Sequence, residues 1–83
     1  MLKELLKDLV TGIVSKPKAV KVSESTEEDG TIHLNLAVAA EDMGMVIGKQ
    51  GQTIIAIRSL LKTAAAKAGK RVFVELEEAS KPS

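Results

Sequence analysis

The stretch that decides the fold is a run of nine residues with two glycines near its centre, Val46-Ile47-Gly48-Lys49-Gln50-Gly51-Gln52-Thr53-Ile54. The residues before the glycines, 41–47, have the pattern of a short helix, and the residues after them, 52–68, have that of a longer helix. A glycine-bounded turn between two helices exposes backbone N–H groups where the second helix begins, and the helix dipole favours an anion there. Lys49 adds a positive charge, so the run predicts a phosphate-binding loop.

The residues upstream of this run predict one helix and a hairpin. Apolar residues recur at helical spacing from Leu2 to Val14, and the leucines among them are expected in the core. Lys16-Pro17 is expected to end that helix, because the residue before a proline is driven out of the α region. Alternating apolar residues predict strands over 19–25 and 31–38, and the acidic turn 27–30 ends in the Asp-Gly pair that is typical of hairpins.

The residues downstream complete a single α+β domain. Gly69 predicts a helix C-cap, and the alternation over 71–76 predicts a last strand. The predicted order is α-β-β-α-α-β, with a three-stranded sheet and three helices packed on one face. We expect one domain over residues 1–78 and a frayed tail over 79–83.

Composition limits the classes of function. The chain has 83 residues, 45% of them apolar and 28% charged, which suits one small folded domain. It has no cysteine, and its single histidine, His33, is predicted to be an outward strand residue, so neither a metal site nor a cofactor is expected. The charged N-terminus has no signal-peptide core, and no apolar run is long enough for a membrane span. These features favour a cytoplasmic protein with no membrane contact.

The nine-residue run resembles the signature of KH domains, V-I-G-x-x-G-x-x-I with a basic residue inside the loop, and it meets every fixed position. Only 32 residues follow Gly51, enough for one helix and one strand. The resemblance is therefore to the bacterial type II KH arrangement and is closest to the small single-domain proteins usually called KhpA. It implies a free-standing domain that binds RNA and dimerises. It also implies pairing with a larger partner that has its own KH domain and a second nucleic-acid-binding domain.

The resemblance also implies which residues bind RNA. KH loops of this form clamp the backbone of about four single-stranded nucleotides, and the bases lie on an apolar groove. The other wall of the groove would be the last strand and the loop before it, where Lys67 also lies. Such a protein would act in post-transcriptional regulation or as an RNA chaperone. The expected RNA-binding residues are Ile47, Gly48, Lys49, Gln50, Gly51, Gln52, Thr53, Lys70 and Arg71.

Several assignments stay open at this point. RNA or a protein partner could contact Ile55, Arg58, Lys62 and Phe73. The cations near Gly69 could equally be a solvated rim that complements a helix end. For the whole chain, the alternative is a protein-interaction and dimerisation module with only incidental RNA affinity.

An enzymatic interpretation is rejected. The stretch from Gly44 to Lys49 superficially resembles a P-loop, but that motif has four residues between its glycines and a Ser or Thr after the lysine. Here three residues stand between Gly44 and Gly48, and Gln50 follows the lysine. Neither a Ser-His-Asp nor a Cys-His set is present, so no catalytic residue and no small-molecule substrate are predicted.

Overall fold

Three helices and three strands follow one another over residues 2–79, which the computed structural model describes. The predicted α+β class and α-β-β-α-α-β order are confirmed. The elements are α1 (Leu2–Thr11), β1 (Lys21–Thr26), β2 (Ile32–Val38), α2 (Met43–Ile47), α3 (Gln52–Lys67) and β3 (Val72–Glu78). Short 3-10 turns lie at Pro17–Ala19, Ala40–Asp42 and Lys49–Gly51.

The sheet has β2 at its centre, antiparallel to β1 and parallel to β3. The β1–β2 turn closes where Gly30, at φ 92°, donates its N–H to the Glu27 carbonyl at 2.9 Å. The Asp29 carboxylate accepts the Thr31 N–H at 2.9 Å and holds the same turn. Because β3 is parallel to β2, the chain has to return across the sheet between them, and α2 and α3 make that crossover.

The helices cover one face of the sheet, and the core lies between them. Every second side chain of β2 and β3 points into it, and each fully buried leucine contributes about 1.5–3 kcal/mol. The buried strand residues are Leu34, Leu36, Val38, Val72 and Val74, and the buried helix residues are Leu6, Val10, Val46, Ile54, Ile57, Leu61 and Ala65.

The opposite face of the sheet carries His33, which is the outward strand residue that the alternation predicts. Its ring stacks on that of Phe73, with the ring centroids 5.5 Å apart. Its Nε2 lies 2.7 Å from the Glu27 carboxylate. Phe73 is 45% exposed, in agreement with its predicted place on the face away from Val72 and Val74.

The first helix ends earlier than predicted. It stops at Thr11 instead of continuing to Lys16, because Gly12 follows and glycine costs about 1 kcal/mol in a helix interior. Val14 is nevertheless buried, since the chain after Gly12 stays folded against α1 through the Val14 N–H bond to the Val10 carbonyl at 3.1 Å. The expectation that all the leucines of this helix lie in the core is wrong for Leu5, which is exposed.

The other boundaries move by one or two residues, as helix and strand ends commonly do. The second helix, predicted over 41–47, begins only at Met43. The third ends at Lys67 instead of Ala68. The strands predicted over 19–25, 31–38 and 71–76 run over 21–26, 32–38 and 72–78.

The predicted C-cap at Gly69 is confirmed. Gly69 has φ 71°, and its N–H donates to the Ala66 carbonyl at 3.0 Å. The Lys70 N–H donates to the Ala65 carbonyl at 2.9 Å, which completes a Schellman motif. The chain therefore turns sharply at the end of α3 and enters β3.

A buried carboxylate joins the segment after α1 to the start of α2. Asp42 accepts the Ser15 hydroxyl at 2.7 Å, the Ser15 N–H at 3.0 Å and the Lys16 N–H at 3.0 Å. The hydroxyl and amide of Ser15, followed by the Lys16 amide, hold the pKa of Asp42 below its ordinary value, because they stabilise the charged form. The sequence patterns did not indicate this contact.

No helix within residues 2–79 is long and apolar enough to cross a membrane. Residues 2–79 contain no cluster of three or more acidic or histidine side chains that could hold a metal ion. The predicted tail lies outside the described residues except for Ala79, whose N–H donates to the Val38 carbonyl at 2.7 Å.

Replacing Asp42 with asparagine should lower the free energy of unfolding, because the amide presents N–H groups where the carboxylate accepts hydrogen bonds. In the wild type, a folded pKa below 3.8 gives a contribution that is fully present above 3.8 and is lost as the pH falls through the lower folded value. Urea unfolding of both proteins from neutral to acidic pH measures this contribution. The difference in unfolding free energy should be constant near neutral pH and shrink in acid.

The matched control is Asp8→Asn, which changes an exposed carboxylate on α1. It should leave the unfolding free energy within about 0.5 kcal/mol of the wild type at neutral pH. A difference for Asp42→Asn that does not depend on pH would contradict the assignment of this contribution to the Asp42 carboxylate.

Candidate nucleic-acid interface

The turn between α2 and α3 has a backbone that only its glycines can adopt without strain. Gly48 has φ 77° and ψ 175°, a region that is essentially limited to glycine. Gly51 has φ 75° and ψ 10°, in the left-handed helical region. Between them Gln50 also has a positive φ of 57°, which is uncommon for a residue with a side chain. The turn therefore stores strain at an exposed residue between its two glycines.

The two glycines are needed for different reasons. A Cβ on Gly48 would collide with the Thr53 hydroxyl and would lie 2.6 Å from the Thr53 Cβ and 2.8 Å from its backbone nitrogen. A Cβ on Gly51 would meet no atom within 4 Å, so only its backbone angles require glycine. Gly48 thus lets the turn close onto the first turn of α3, and Gly51 lets the chain enter that helix.

The backbone amides of the turn divide into two groups. The Gly51 N–H donates to the Gly48 carbonyl at 3.1 Å, and the Gln52 N–H donates to the Lys49 carbonyl. The N–H groups of Lys49 and Gln50 have no hydrogen-bond acceptor within residues 2–79. No side chain caps the start of α3, so its positive dipole end opens beside them. Lys49 and Gln50 are both exposed.

A groove of about 300 Å³ runs between α3 and β3. Arg58 and Lys62 form its helix side, and residues 72–75 form its strand side. The Arg58 Nε–H donates to the Val74 carbonyl at 3.1 Å across this groove. Arg58 is about two helical turns, or roughly 10 Å, beyond Gly51 on the same helix.

The basic side chains continue past this groove toward the start of β3. A second depression of about 320 Å³ is lined by Lys62, Lys70 and Arg71 with Val72 and Phe73. Lys62 borders both depressions, so the cations form one continuous edge. In the described part of the chain, none of these cations forms a salt bridge with a carboxylate.

Two acidic residues border this edge: Glu75 lines the groove with Arg58 and Lys62, and Asp29 lies with Lys70 and Arg71. The Thr31 N–H, and to a smaller extent the Arg71 charge, lower the pKa of the Asp29 carboxyl from its ordinary value of 3.8. The carboxylate is therefore ionised at neutral pH and partly offsets the charge of Arg71. Asp29 and Lys70 line the same polar depression with Gly30.

The residues predicted for the site fall into four places. Ile47 ends α2 and is partly exposed beside the turn, and residues 48–53 form the turn and the start of α3. Arg58, Lys62, Lys70 and Arg71 lie together along β3. Ile55 is 57% exposed on α3. Lys67 lies instead with Leu2, Leu5 and Ala68 in a depression between α1 and α3.

The sequence did not indicate the role of the Val74 carbonyl. Val74 was expected only as a core residue, and its side chain is indeed buried. Its backbone carbonyl, however, is the acceptor for Arg58 at the groove. No sequence pattern reports which backbone groups of a strand face an open edge, because this depends on how the strand pairs.

The family model described as the KH domain of KhpA/KhpB matches residues 3–76 of this chain. The RNA-binding protein KhpA of Clostridium acetobutylicum is 51% identical over 75 residues, which are 90% of this chain and 99% of the relative. The RNA-binding protein KhpA of Caldanaerobacter subterraneus subsp. tengcongensis is 49% identical over 73 residues, which are 88% of this chain and 96% of the relative.

A solved structure supports the fold independently. The crystal structure of Era in complex with MgGDPNP and nucleotides 1506–1542 of 16S ribosomal RNA superposes with a TM-score of 0.62 at 18% identity. The superposition covers 99% of this chain and 31% of the Era chain, so this chain spans about a third of Era and shares a domain fold with it. With the family match over 3–76 and the identity to whole relatives, the resemblance seen in the nine-residue run is confirmed. This chain belongs to the KhpA/KhpB KH-domain family.

Proposed function

We propose that this chain is an RNA-binding protein of the cytoplasm that holds about four nucleotides of single-stranded RNA in the turn 48–51 and the groove along β3. Its role would be in post-transcriptional regulation or RNA chaperoning. Family membership and the names of the relatives support RNA as the ligand. The family is non-catalytic, and the chain is not an enzyme.

One observation carries this proposal: the N–H groups of Lys49 and Gln50, which have no acceptor within residues 2–79, open at the start of α3, at one end of a line of cations. Two adjacent amides and a helix dipole together suit a phosphate oxygen. Lys49 supplies a point charge beside them. The backbone of the RNA would therefore be held first at this turn.

The bases would then lie along the groove toward Lys70 and Arg71. Arg58, Lys62 and residues 72–75 line the groove, and its one aromatic ring, that of Phe73, already stacks on His33. Stacking on aromatic side chains gives other single-strand binders about 1–3 kcal/mol per base, and this groove offers at most one such ring. The affinity of one domain for RNA should therefore be modest and depend mainly on phosphate contacts and hydrogen bonds.

Modest affinity favours pairing of two copies, because two weak sites on one RNA act together. We propose a homodimer that uses the apolar surface between α1 and α3. Leu60 is 54% exposed there, and Leu5, Ala64 and Ala68 line an adjacent depression of about 460 Å³. At 100° per residue, Leu60 lies on a different flank of α3 from Arg58 and Lys62. Pairing would thus leave both RNA grooves open.

The same surface suits a larger partner with its own KH domain, as the family resemblance implies. A heterodimer of this kind would compete with the homodimer. The alternative for the whole chain, a protein-interaction module with incidental RNA affinity, shares this surface and makes no use of the turn. The turn therefore distinguishes the two functions.

Changing Lys49 and Gln50 together to aspartate should weaken RNA binding at least about tenfold, because charge-assisted hydrogen bonds of about 1.5–3 kcal/mol are replaced by repulsion. The fold should persist, since both side chains are exposed and aspartate tolerates the positive φ of position 50 better than glutamine does. Fluorescence anisotropy with a short single-stranded RNA measures the affinity, and circular dichroism checks the fold.

A double variant with the same total charge change, Lys3→Asp with Ser23→Asp, is the matched control and alters exposed residues of α1 and β1. It should keep most of the affinity for RNA. Equal affinities of the wild type and the Lys49–Gln50 variant would remove the turn from RNA binding and favour the interaction-module alternative.

The salt dependence of RNA affinity should be shallow. Two or three phosphate contacts to a single strand give a slope of roughly −1.5 to −2 in a plot of log affinity against log salt concentration. The slope of the Lys49–Gln50 variant should be nearer zero by about 0.7, because this variant loses a phosphate contact. A much steeper slope would mean a longer contact than this groove provides.

Replacing Leu60 with glutamate should convert the proposed dimer to a monomer, because it places a charge at the centre of an apolar contact. Ile55→Glu is the matched control, since Ile55 is 57% exposed on another flank of the same helix. Sedimentation equilibrium of both variants measures the mass in solution. The proposed dimer surface would be refuted if the wild type stays monomeric at high concentration, or if only Ile55→Glu loses the dimer.

A further inference from the structure

The free edge of β3 forms one side of the groove, and the pairing of β3 determines which backbone groups this edge offers. β3 is the outer strand next to β2, and the Ile32 N–H donates to the Arg71 carbonyl at 2.9 Å. Backbone groups of a strand alternate between its two sides, so those of Phe73 and Glu75 also face β2. The N–H and carbonyl of Val74 therefore both point outward, away from β2 and into the groove.

An outward N–H beside an outward carbonyl matches the edge of adenine, which places the acceptor N1 beside the N6 amino donor. At Val74 this match is weakened. The Arg58 Nε–H takes one of the two acceptor positions of the Val74 carbonyl at 3.1 Å, so an adenine amino group would have to share this oxygen with a cationic donor. Beside Val74 the groove therefore presents the N–H groups of Arg58 and of Val74, where a strand edge alone would present one donor and one acceptor.

The anchored guanidinium still has unused donors. Arginine has five N–H groups, and the bond from Nε leaves the four on its two Nη atoms as a planar fork. Arg58 is half-buried and forms no salt bridge within residues 2–79, and Glu75 is the acidic residue that lines the same groove. A planar fork held at one end selects a partner with two adjacent acceptors.

We infer that Arg58 is a specificity-determining residue that makes this groove favour a base edge with two adjacent acceptors and disfavour adenine. Guanine offers such an edge at O6 and N7, and cytosine offers one at O2 and N3. Adenine would bring its amino donor against the donors of Arg58 and leave buried polar groups unpaired. Uracil has single acceptors flanked by its N3–H donor, so its affinity for the groove should lie between that of adenine and that of guanine or cytosine. This inference rests on the proposed function, because it concerns the base beside the same groove.

The experiment measures anisotropy with short oligouridines that carry a single central guanine, cytosine or adenine. The wild type should bind the guanine or cytosine oligonucleotide about fivefold to a hundredfold more tightly than the adenine one, the range expected for one bidentate contact. An oligonucleotide with 7-deazaguanine tests the guanine edge, because its affinity should fall if Arg58 binds guanine at N7. A preference for the cytosine oligonucleotide alone would instead indicate that Arg58 binds O2 and N3 of cytosine.

Two variants at position 58 test the residue itself. Arg58→Lys keeps the charge but not the fork, so it should lose most of the preference, chiefly by binding the guanine or cytosine oligonucleotide more weakly. Arg58→Met should lose the preference and bind adenine relatively better, because it frees the Val74 carbonyl. Lys62→Met, beside Arg58 on α3, is the control and should weaken all the oligonucleotides by a similar factor. Thermal unfolding of each variant shows whether it is folded.

The outcomes separate this inference from the proposed function. Equal binding of all the oligonucleotides, with the Lys49–Gln50 variant still defective, overturns the role of Arg58 and leaves the RNA site standing. A preference that survives in folded Arg58→Lys or Arg58→Met overturns it as well, and so does a uniform loss across all sequences in both variants. Binding that the Lys49–Gln50 change does not affect refutes the proposed function and this inference with it.

Discussion

Parallel pairing of β2 with β3 is the constraint on which the rest of this structure depends. Parallel neighbours cannot be joined by a tight turn, so the chain has to rise from the end of β2, cross the apolar face and come down at the start of β3. The crossover consists of α2, the glycine turn and α3, and α3 is held down by Ile54, Ile57 and Leu61. The position of the turn above the sheet is thus set by a core that lies elsewhere. The proposed phosphate site, which would be made of backbone amides, needs this rigid support, because its donors cannot adjust as side chains do.

The glycine turn combines a strained backbone with a close contact between Gly48 and the start of α3. Gly48 permits contact with Thr53 that any Cβ would block, and Gln50 has a positive φ at an exposed position. Strained backbone of this kind costs about 1–3 kcal/mol per residue and persists only where the surroundings force it. Here the surroundings are the two helices on either side, each packed into the core. The strain is consistent with a turn shaped for a ligand.

The third helix serves different purposes on its different flanks. Its buried stripe packs on the sheet, one flank carries Arg58 and Lys62 beside β3, and another carries Leu60 and Ala64 beside α1. RNA binding and pairing would thus occur on separate sides of one rigid element. Dimerisation could then bring two grooves together without altering either one. The far face of the sheet, where His33 pairs with Glu27 and where Glu77 is exposed, is less suited to a polyanion.

Much of this protein could be predicted from sequence, because the informative patterns are local. A period of two marks the strands, glycines mark the turn and the C-cap, and the nine-residue run carries the resemblance to the family. The end of α1 was misplaced, because the apolar stripe continues past Gly12 although the helix does not. Asp42 was missed, because its partners Ser15 and Lys16 are about 27 residues away in the chain and only the packing of α2 brings them together.

The sequence by itself determined the order of elements, the apolar face of each and the glycine turn that a phosphate could enter. Only the tertiary structure decided that Arg58 bonds the Val74 carbonyl, that Lys62 joins it to Lys70 and Arg71, and that Leu5 is left exposed. The physical reason is that backbone angles and side-chain periodicity are properties of neighbouring residues. Which edge of a strand is open, and which side of a helix faces it, depend instead on the packing of segments that are distant in the chain.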